Sequence, residues 1–410
     1  MKLVIEKNRL FSFVFIVSIL FDAYCFTTIG NRNITVFYPL SALFLFFALA
    51  RPSGMVGRIT KNPFTLLMLI YMPLNYWLVG GETPTLAVSM YLWLLFICSG
   101  RTSTKVQFES IILVFRKVMN IMAVYGIYQV AAYYFNLPFA NISIPGHMAI
   151  GYNWGNTINI AGLTLRRANA IFREPSFFSQ FLAVNMLCYI EKYIEDRNSI
   201  KKDHTLIWIC INLMALVVSF SGTGILMLGG GGIILLIVIN KSMLWNFVNR
   251  HAVLVLIVAS GVLWILLIPN QLSSYLFGRL SELDPTNVES ISAYIRFVKP
   301  YVSTAEILNE HPWFGIGLGN TYNLQLSSVG NLGNALAVAL PRSFAELGVI
   351  GGIIYILFMI KLVNKNNFST PYFKAVLIST FLMTFMHGTW TSEVYWLFLS
   401  LLNFRVIEGE

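Results

Sequence analysis

Charge is what this sequence has least of. Only 11% of its 410 residues are Asp, Glu, Lys or Arg, while 57% are hydrophobic. Soluble domains carry about a quarter charged residues, and a soluble fold cannot hide this much apolar surface behind so few charges. A cytosolic enzyme and a disordered chain are excluded. Cysteine is equally sparse, with four in the whole chain, which excludes a disulfide-stapled secreted scaffold. Cys25, Cys98, Cys188 and Cys210 all fall within apolar runs, so no disulfide is expected. There is no heptad run, no internal repeat, and no low-complexity tract beyond the four glycines at 229–232, which read as a close helix contact or a local kink.

What is there is a series of long apolar segments. A spanning helix needs about 20 mostly apolar residues. Twelve candidates are read, several of them short: 10–29, 34–50, 63–79, 85–99, 110–135, 172–190, 205–220, 223–240, 252–268, 343–360, 373–388 and 393–407. The expected fold is an all-α polytopic membrane protein forming one integral domain over 1–410. The break at Ser221-Gly222 is the least marked. The first segment follows Lys2, Lys7 and Arg9 and has no small-x-small cleavage site after it, so it reads as an uncleaved signal anchor.

The net charge of +10 is best understood by place. Lys and Arg accumulate in cytoplasmic loops. With both termini cytoplasmic, 20 of the 28 basic residues fall inside, 12 Lys and 8 Arg, with Arg116 counted among them. Eight fall outside: Arg32, Arg166, Arg167, Arg173, Arg279, Arg296, Lys299 and Arg342. Orientation needs only positive charge, and lysine serves. An outside set made almost wholly of arginine points to the planar fork that grips phosphate or carboxylate. Salt bridging with Glu174, Glu282, Asp284, Glu289 and Glu306 is the plainer alternative. The spans hold almost no charge; Asp22, His387 and Glu393 sit near outer ends. That weighs against an ion-coupled transporter, which places ionisable groups near the midplane.

Two outer loops are long, about 136–171 and about 269–342, and all but one of the external basic residues lie in them or, for Arg173, just past the first. Long loops without obvious strands usually carry function, and these two are expected to face each other across one cavity. The first ends in Arg166-Arg167-Ala168-Asn169-Ala170-Ile171-Phe172-Arg173-Glu174-Pro175-Ser176, three arginines just before a helix. Pro175 suits the first helical turn, and the helix N-terminus attracts anions. In the second loop, 288–309 reads as an amphipathic helix carrying Arg296. The Gly315-x-Gly317-x-Gly319 stretch has no βαβ context and reads as a turn, not a nucleotide site. His147, His204 and His251 have no partner at ligand spacing, so no metal is expected.

These residues resemble the bacterial O-antigen polymerases (Wzy) of the O-antigen ligase/polymerase superfamily. The resemblance is carried by the Arg–small–Phe–x–Glu–Pro–Ser stretch at 167–176, by His311-Pro312-x-x-Gly315-x-Gly317-x-Gly319-Asn320, and by Glu346-Leu347-Gly348-x-x-Gly351 opening a late span. Ala170 stands where a glycine is common. The ligases carry a histidine about two and a half turns before the Glu-Leu-Gly stretch, and 334–340 has none, which argues for polymerase over ligase.

The resemblance implies a glycosyltransferase C-type architecture in the bacterial inner membrane. It implies transfer of a growing glycan from undecaprenyl pyrophosphate to the non-reducing end of a lipid-linked repeat unit at the periplasmic face. No cofactor is called for and no nucleic acid; a chain-length regulator is an implied partner. Such chemistry needs the departing pyrophosphate stabilised and the acceptor hydroxyl deprotonated. Arg167, Arg173 and Arg296 are the first candidates for phosphate, Arg279 and Arg342 the next, with Arg166 read as a surface neighbour. Glu174, His311 and Glu346 are the candidate bases. Glu174 has the alternative of capping its helix, His311 of a turn residue, Glu346 of an internal anchor. Ligase and glycolipid flippase are the alternative functions. Tyr152, Trp154, Trp313, Tyr322 and Trp390 are available to stack on sugars, although interfacial Trp and Tyr are common in membrane proteins.

Overall fold

The computed structural model describes residues 16, 21–29, 32–49, 62–99, 102–149, 152, 156–160, 163–195, 205–239, 294–322, 324–326, 330–331, 338–363, 365–386, 392–403 and 405–407. The α-helices are α1 (Phe37–Leu49), α2 (Pro63–Val79), α3 (Thr83–Ser99), α4 (Lys105–Tyr134), α5 (Pro175–Glu195), α6 (Thr205–Val218), α7 (Gly222–Val238), α8 (Lys299–Glu310), α9 (Ala339–Leu362), α10 (Phe373–Met386) and α11 (Glu393–Leu402). All but α8 overlie expected spans. Among the described residues, two stretches, Phe108–Tyr134 and Ala339–Leu362, are long and apolar enough to cross a membrane. The expected span 252–268, Arg279, His204, His251, His387, Trp154 and Trp390 lie outside the described residues.

Hydrogen bonds gather the described connections at two ends. At one end, the last turn of α6 and the start of α7 meet the entry to α5: Arg167 Nε donates to Ser219 O, and Ser179 Oγ donates to Ser221 Oγ. The turn between α2 and α3 joins the same end, where Glu82 N–H donates to Leu318 O. At the other end, Thr102–Thr104 (β3) pairs in parallel with Arg405–Ile407 (β8). The last expected span, 393–407, therefore stops at 402.

The first expected span needs a larger correction. Residues 21–23 form a turn, and Cys25–Ile29 (β1) pairs antiparallel with Arg32–Thr35 (β2). A helix over 10–29 cannot continue past 20. Apolar Cys25-Phe26 extends the hydrophobic run, but Thr27, Thr28 and Ile29 are β-branched and suit a strand. Cys25 thus lies in a hairpin, not a span. A second hairpin, Thr157–Ile160 (β4) with Leu163–Arg166 (β5), stands in the first long loop, which the sequence read as free of strands.

Side-chain packing ties the bundle together. Trp93 of α3 stacks against Phe358 of α9 and Trp396 of α11 at ring-centre distances of 4.6 and 4.9 Å. Three buried asparagines bridge α4, α5 and α6: Asn185 Nδ2 donates to Asn120 Oδ1 and Asn212 Oδ1, at 3.0 and 2.9 Å. Such polar contacts hold apolar helices in register where burial alone cannot. Of the four glycines 229–232, Gly231 faces Leu187 closely, while the other three have open space.

Charge also enters the bundle. Arg116, counted from sequence on the cytoplasmic side and falling within the expected span 110–135, lies within α4 and is buried. Its guanidinium sits 3.8 Å from the centre of the Tyr189 ring and donates to Tyr372 Oη at 2.7 Å. Glu191 on α5 is buried too, and accepts the Ala375 N–H at the start of α10. The expectation of nearly uncharged spans is corrected by this pair.

Candidate active site

The entry to α5 is built from the chain segment that carries three arginines. Gln129 of α4 grips it: Gln129 Oε1 accepts the N–H groups of Asn169 and Ala170, and Nε2 donates to Asn169 Oδ1. Asn169 Nδ2 in turn donates to Phe172 O. This clamp bends the chain through Ala170 at φ 47°, a left-handed conformation that disfavours any Cβ. The helix then begins at Pro175, as expected of a first-turn proline. Arg167 is held beneath by Asn156 Oδ1 and Ser219 O, both at 3.2 Å. Arg166 is not a surface neighbour; it is 1% exposed, donates to Asn141 Oδ1 and lies over the Tyr133 ring.

The second loop reaches this entry through Arg296. It sits in a π-helical turn, Tyr294–Val298, that runs into α8, so the expected helix is present over the described part of 288–309. Single π turns recur at functional sites because they redirect one side chain. Arg296 Nη1 donates to Thr223 Oγ1 at 2.8 Å, and Nη2 stands 3.3 Å from Glu174 Oε2. Ser176 Oγ donates to the same Glu174 oxygen at 2.9 Å. The two side chains are 21% and 37% exposed, so the pair is open to an entering ligand. The N-terminal ends of α5 and α7 both meet here, and helix N-termini carry partial positive charge.

The Glu-Leu-Gly stretch and the glycine loop form one joint. Helix α9 is broken at Gly348, whose φ of 68° is left-handed. The break frees backbone groups that would be costly if unpaired in an apolar bundle. The loop at 312–317 satisfies them. Ile316 N–H and Gly317 N–H donate to the carbonyls of Ala345 and Glu346, and the N–H groups of Val349 and Ile350 donate to Pro312 O and Trp313 O. Tyr71 Oη donates to Leu347 O and Asn75 Nδ2 to Phe314 O. Gly315, Gly317 and Gly319 all have positive φ, which bears out the turn reading. A Cβ at Gly315 would lie 2.5 Å from Ala345 O.

Arg342 and Glu346 sit inside this joint, 2% and 0% exposed as side chains. Glu346 Oε1 collects Arg342 Nε at 2.9 Å, Arg342 Nη2 at 2.8 Å, the Gly319 N–H at 3.1 Å and Thr321 Oγ1 at 3.3 Å. That geometry suits an anchor, the alternative weighed for Glu346, better than a proton acceptor. His311 ends α8 and is exposed; its carbonyl accepts the Gly315 N–H. Glu174 and Arg296 are thus brought together, while Arg167 is held on the end of α6 and the Arg173 guanidinium lies over the Phe177 ring of α5; Arg342 with Glu346 form a second, closed pair.

One residue that the sequence placed only near an outer end also stands at this entry. Asp22, in the turn before β1, is buried and accepts the Arg173 backbone N–H. Burial pushes its carboxyl up from 3.8 to about 7; the Arg173 guanidinium opposes this, while Glu393 and Glu174 add to it. Glu393 opens α11 and accepts from Thr35 Oγ1 of the hairpin. The hairpin is docked on the first long loop by Cys25 N–H to His147 O and Ala149 N–H to Ala23 O. The available signal was a lone aspartate in an otherwise apolar run.

No curated protein matches the chain. A family model for WcaD colanic acid polymerase matches residues 82–406, well over half of the chain, and takes in both long loops and every motif described above. The match agrees with the polysaccharide-polymerase resemblance and names colanic acid, not O-antigen, as the polymer. It carries with it polymerase activity of the glycosyltransferase kind, lipid-linked saccharide substrates and a membrane setting. On this match the chain belongs to the WcaD colanic acid polymerase family.

Proposed function

We propose that the protein polymerises a polysaccharide at the periplasmic face of the bacterial inner membrane. It transfers the growing glycan from undecaprenyl pyrophosphate to the non-reducing end of a lipid-linked repeat unit. What supports this reading is Arg296, held where the N-terminal ends of α5 and α7 come together, with Arg167 fixed on the adjoining end of α6 and Arg173 in the chain just before α5. Arginine forks and helix N-termini together stabilise the charge that develops on a departing pyrophosphate. Removing one such preorganised donor costs about 3–4 kcal/mol of barrier lowering. In this reading Glu174 holds Arg296 in place until the pyrophosphate displaces it. Arg279 lies in the same loop and joins the set; Arg342 and Glu346 fix the loop that carries His311.

The twelve-span topology with cytoplasmic termini fits this reading, because the loops expected outside gather at one end of the bundle. A chain-length regulator is the proposed protein partner. The direct test is in vitro: purified protein in liposomes with a lipid-linked repeat unit, without metal or nucleotide. A ladder of polymer is expected. Transfer that begins only on adding lipid A–core would replace polymerase by ligase.

A further inference from the structure

We propose that Asp22 is the catalytic base, taking the proton from the acceptor hydroxyl, with Arg173 linking it to the pyrophosphate. This rests on the polymerase reading of the same site. Asp22 reaches the Arg173 N–H at the entry to α5 from the turn before β1, a third segment besides the two long loops. It is 7% exposed, and its Oδ1 has no hydrogen-bond partner among the described residues. An unsatisfied buried carboxylate oxygen is costly, and an incoming hydroxyl would supply the missing donor.

Of the acidic alternatives, Glu346 also has an unpartnered oxygen, Oε2, but its side chain is closed off inside the α9 joint, where Oε1 takes four contacts, and Glu174 Oε2 is shared by Arg296 and Ser176. The charged groups facing Asp22 are Arg173 and Glu174 from the entry to α5 and Glu393 from the first turn of α11. Among the described residues these carboxylates do not stand at metal-ligand spacing. A carboxyl that ionises near neutral pH matches what a general base needs.

In the step, the acceptor oxygen forms a bond to the anomeric carbon of the growing chain. The bond from that carbon to the pyrophosphate oxygen breaks, and its electron pair stays on the pyrophosphate among the arginines. The hydroxyl proton passes to the Asp22 carboxylate and leaves afterwards to the released pyrophosphate or to water.

The test compares wild type, Asp22→Asn and Asp22→Glu in liposomes with a lipid-linked repeat unit, from about pH 5 to about pH 9. The wild-type kcat/KM is expected to rise with pH and level off above about 7. Asp22→Asn is expected to lose about a hundredfold or more in kcat, with KM little changed and the pH limb gone. Asp22→Glu is expected to keep partial activity with a displaced limb. A folded Asp22→Asn protein that keeps the limb and most of its rate overturns the assignment. If Asp22→Asn does not fold, an unmoved limb in Asp22→Glu overturns it and a displaced limb supports it. Absence of polymer from wild type at every pH would instead remove the polymerase reading, and this assignment with it.

Discussion

Arg296 and Glu174 stand 122 residues apart in the chain and 3.3 Å apart in space. This contact joins the two long loops, and it lies at the start of α5 beside Thr223 of α7. Each partner is partly open to solvent, so the ion pair itself is worth little to stability. Its value is positional, because it aims a guanidinium at the place where two helix N-termini meet.

Loss of that guanidinium, or of Arg167, is expected to stop polymerisation. In cells lacking their own polymerase, Arg167→Ala and Arg296→Ala should leave glycan of one repeat unit at most. Arg296→Lys should also lose most activity, since lysine cannot hold Thr223 and a phosphate with one rigid fork. Wild-type chain lengths from both alanine variants would refute the phosphate site.

Glu346 is expected to behave as an anchor. Removing one member of a buried ion pair destabilises by about 3–5 kcal/mol. Glu346→Ala should therefore lower the melting temperature in detergent sharply, while activity per folded molecule falls only a few-fold. An unchanged melting temperature with activity lost a hundredfold would make Glu346 catalytic instead.

Ala170 is expected to be replaceable by glycine at no loss. A non-glycine residue in the left-handed region costs about 1–2 kcal/mol, against roughly 0.5–1 kcal/mol of extra backbone entropy for glycine. Ala170→Gly should match or slightly exceed wild type in thermal stability and keep full activity. A clear loss would mean that the Gln129 clamp needs the alanine methyl group.

Asp22 is expected to lower the stability of the protein at neutral and alkaline pH. Its folded-state carboxyl ionises near 7, against 3.8 as an ordinary side chain. Between these values the folded protein holds the extra proton, so the contribution is complete below 3.8 and is lost as pH rises through 7. The difference amounts to a few kcal/mol. Asp22→Asn should thus melt close to wild type near pH 4 and above it at pH 8, read by thermal unfolding in detergent. Parallel melting curves at all pH values would show that Asp22 is not held in a raised state.

Much of this arrangement was legible in the residues. The apolar runs located the helices, Pro175 marked the start of α5, and the glycines at 315, 317 and 319 announced a turn. The break at Ser221-Gly222 is present, with Phe220 at φ 45° closing α6. What failed to show has a common cause: periodicity does not distinguish an apolar strand from the end of a span. Cys25 and Phe26 prolonged the first apolar run, so the hairpin was hidden and Asp22 with it. The burial of Arg116 did not show because a basic residue near a span end looks like a topology signal; only Tyr189 and Tyr372, distant in sequence, reveal its packing. The pairing of Glu174 with Arg296 was one option among several carboxylates, and no spacing rule selects partners 122 residues apart.

The break at Gly348 also divides the electrostatics of α9. A continuous helix would carry one macrodipole from 339 to 362, with its negative pole far from the loops. Interrupted as it is, α9 comprises two shorter dipoles in series, and a negative pole falls at 345–347 inside the joint. Glu346 places a further negative charge at that pole. Arg342, one turn earlier on the same half-helix, is the counter-charge that makes the arrangement tolerable. The glycine loop contributes as well, since the N–H groups of Ile316, Gly317 and Gly319 point their positive ends at the same spot. The long loop is therefore held at its base by a local field as much as by shape, and a screening ion cannot easily enter to loosen it.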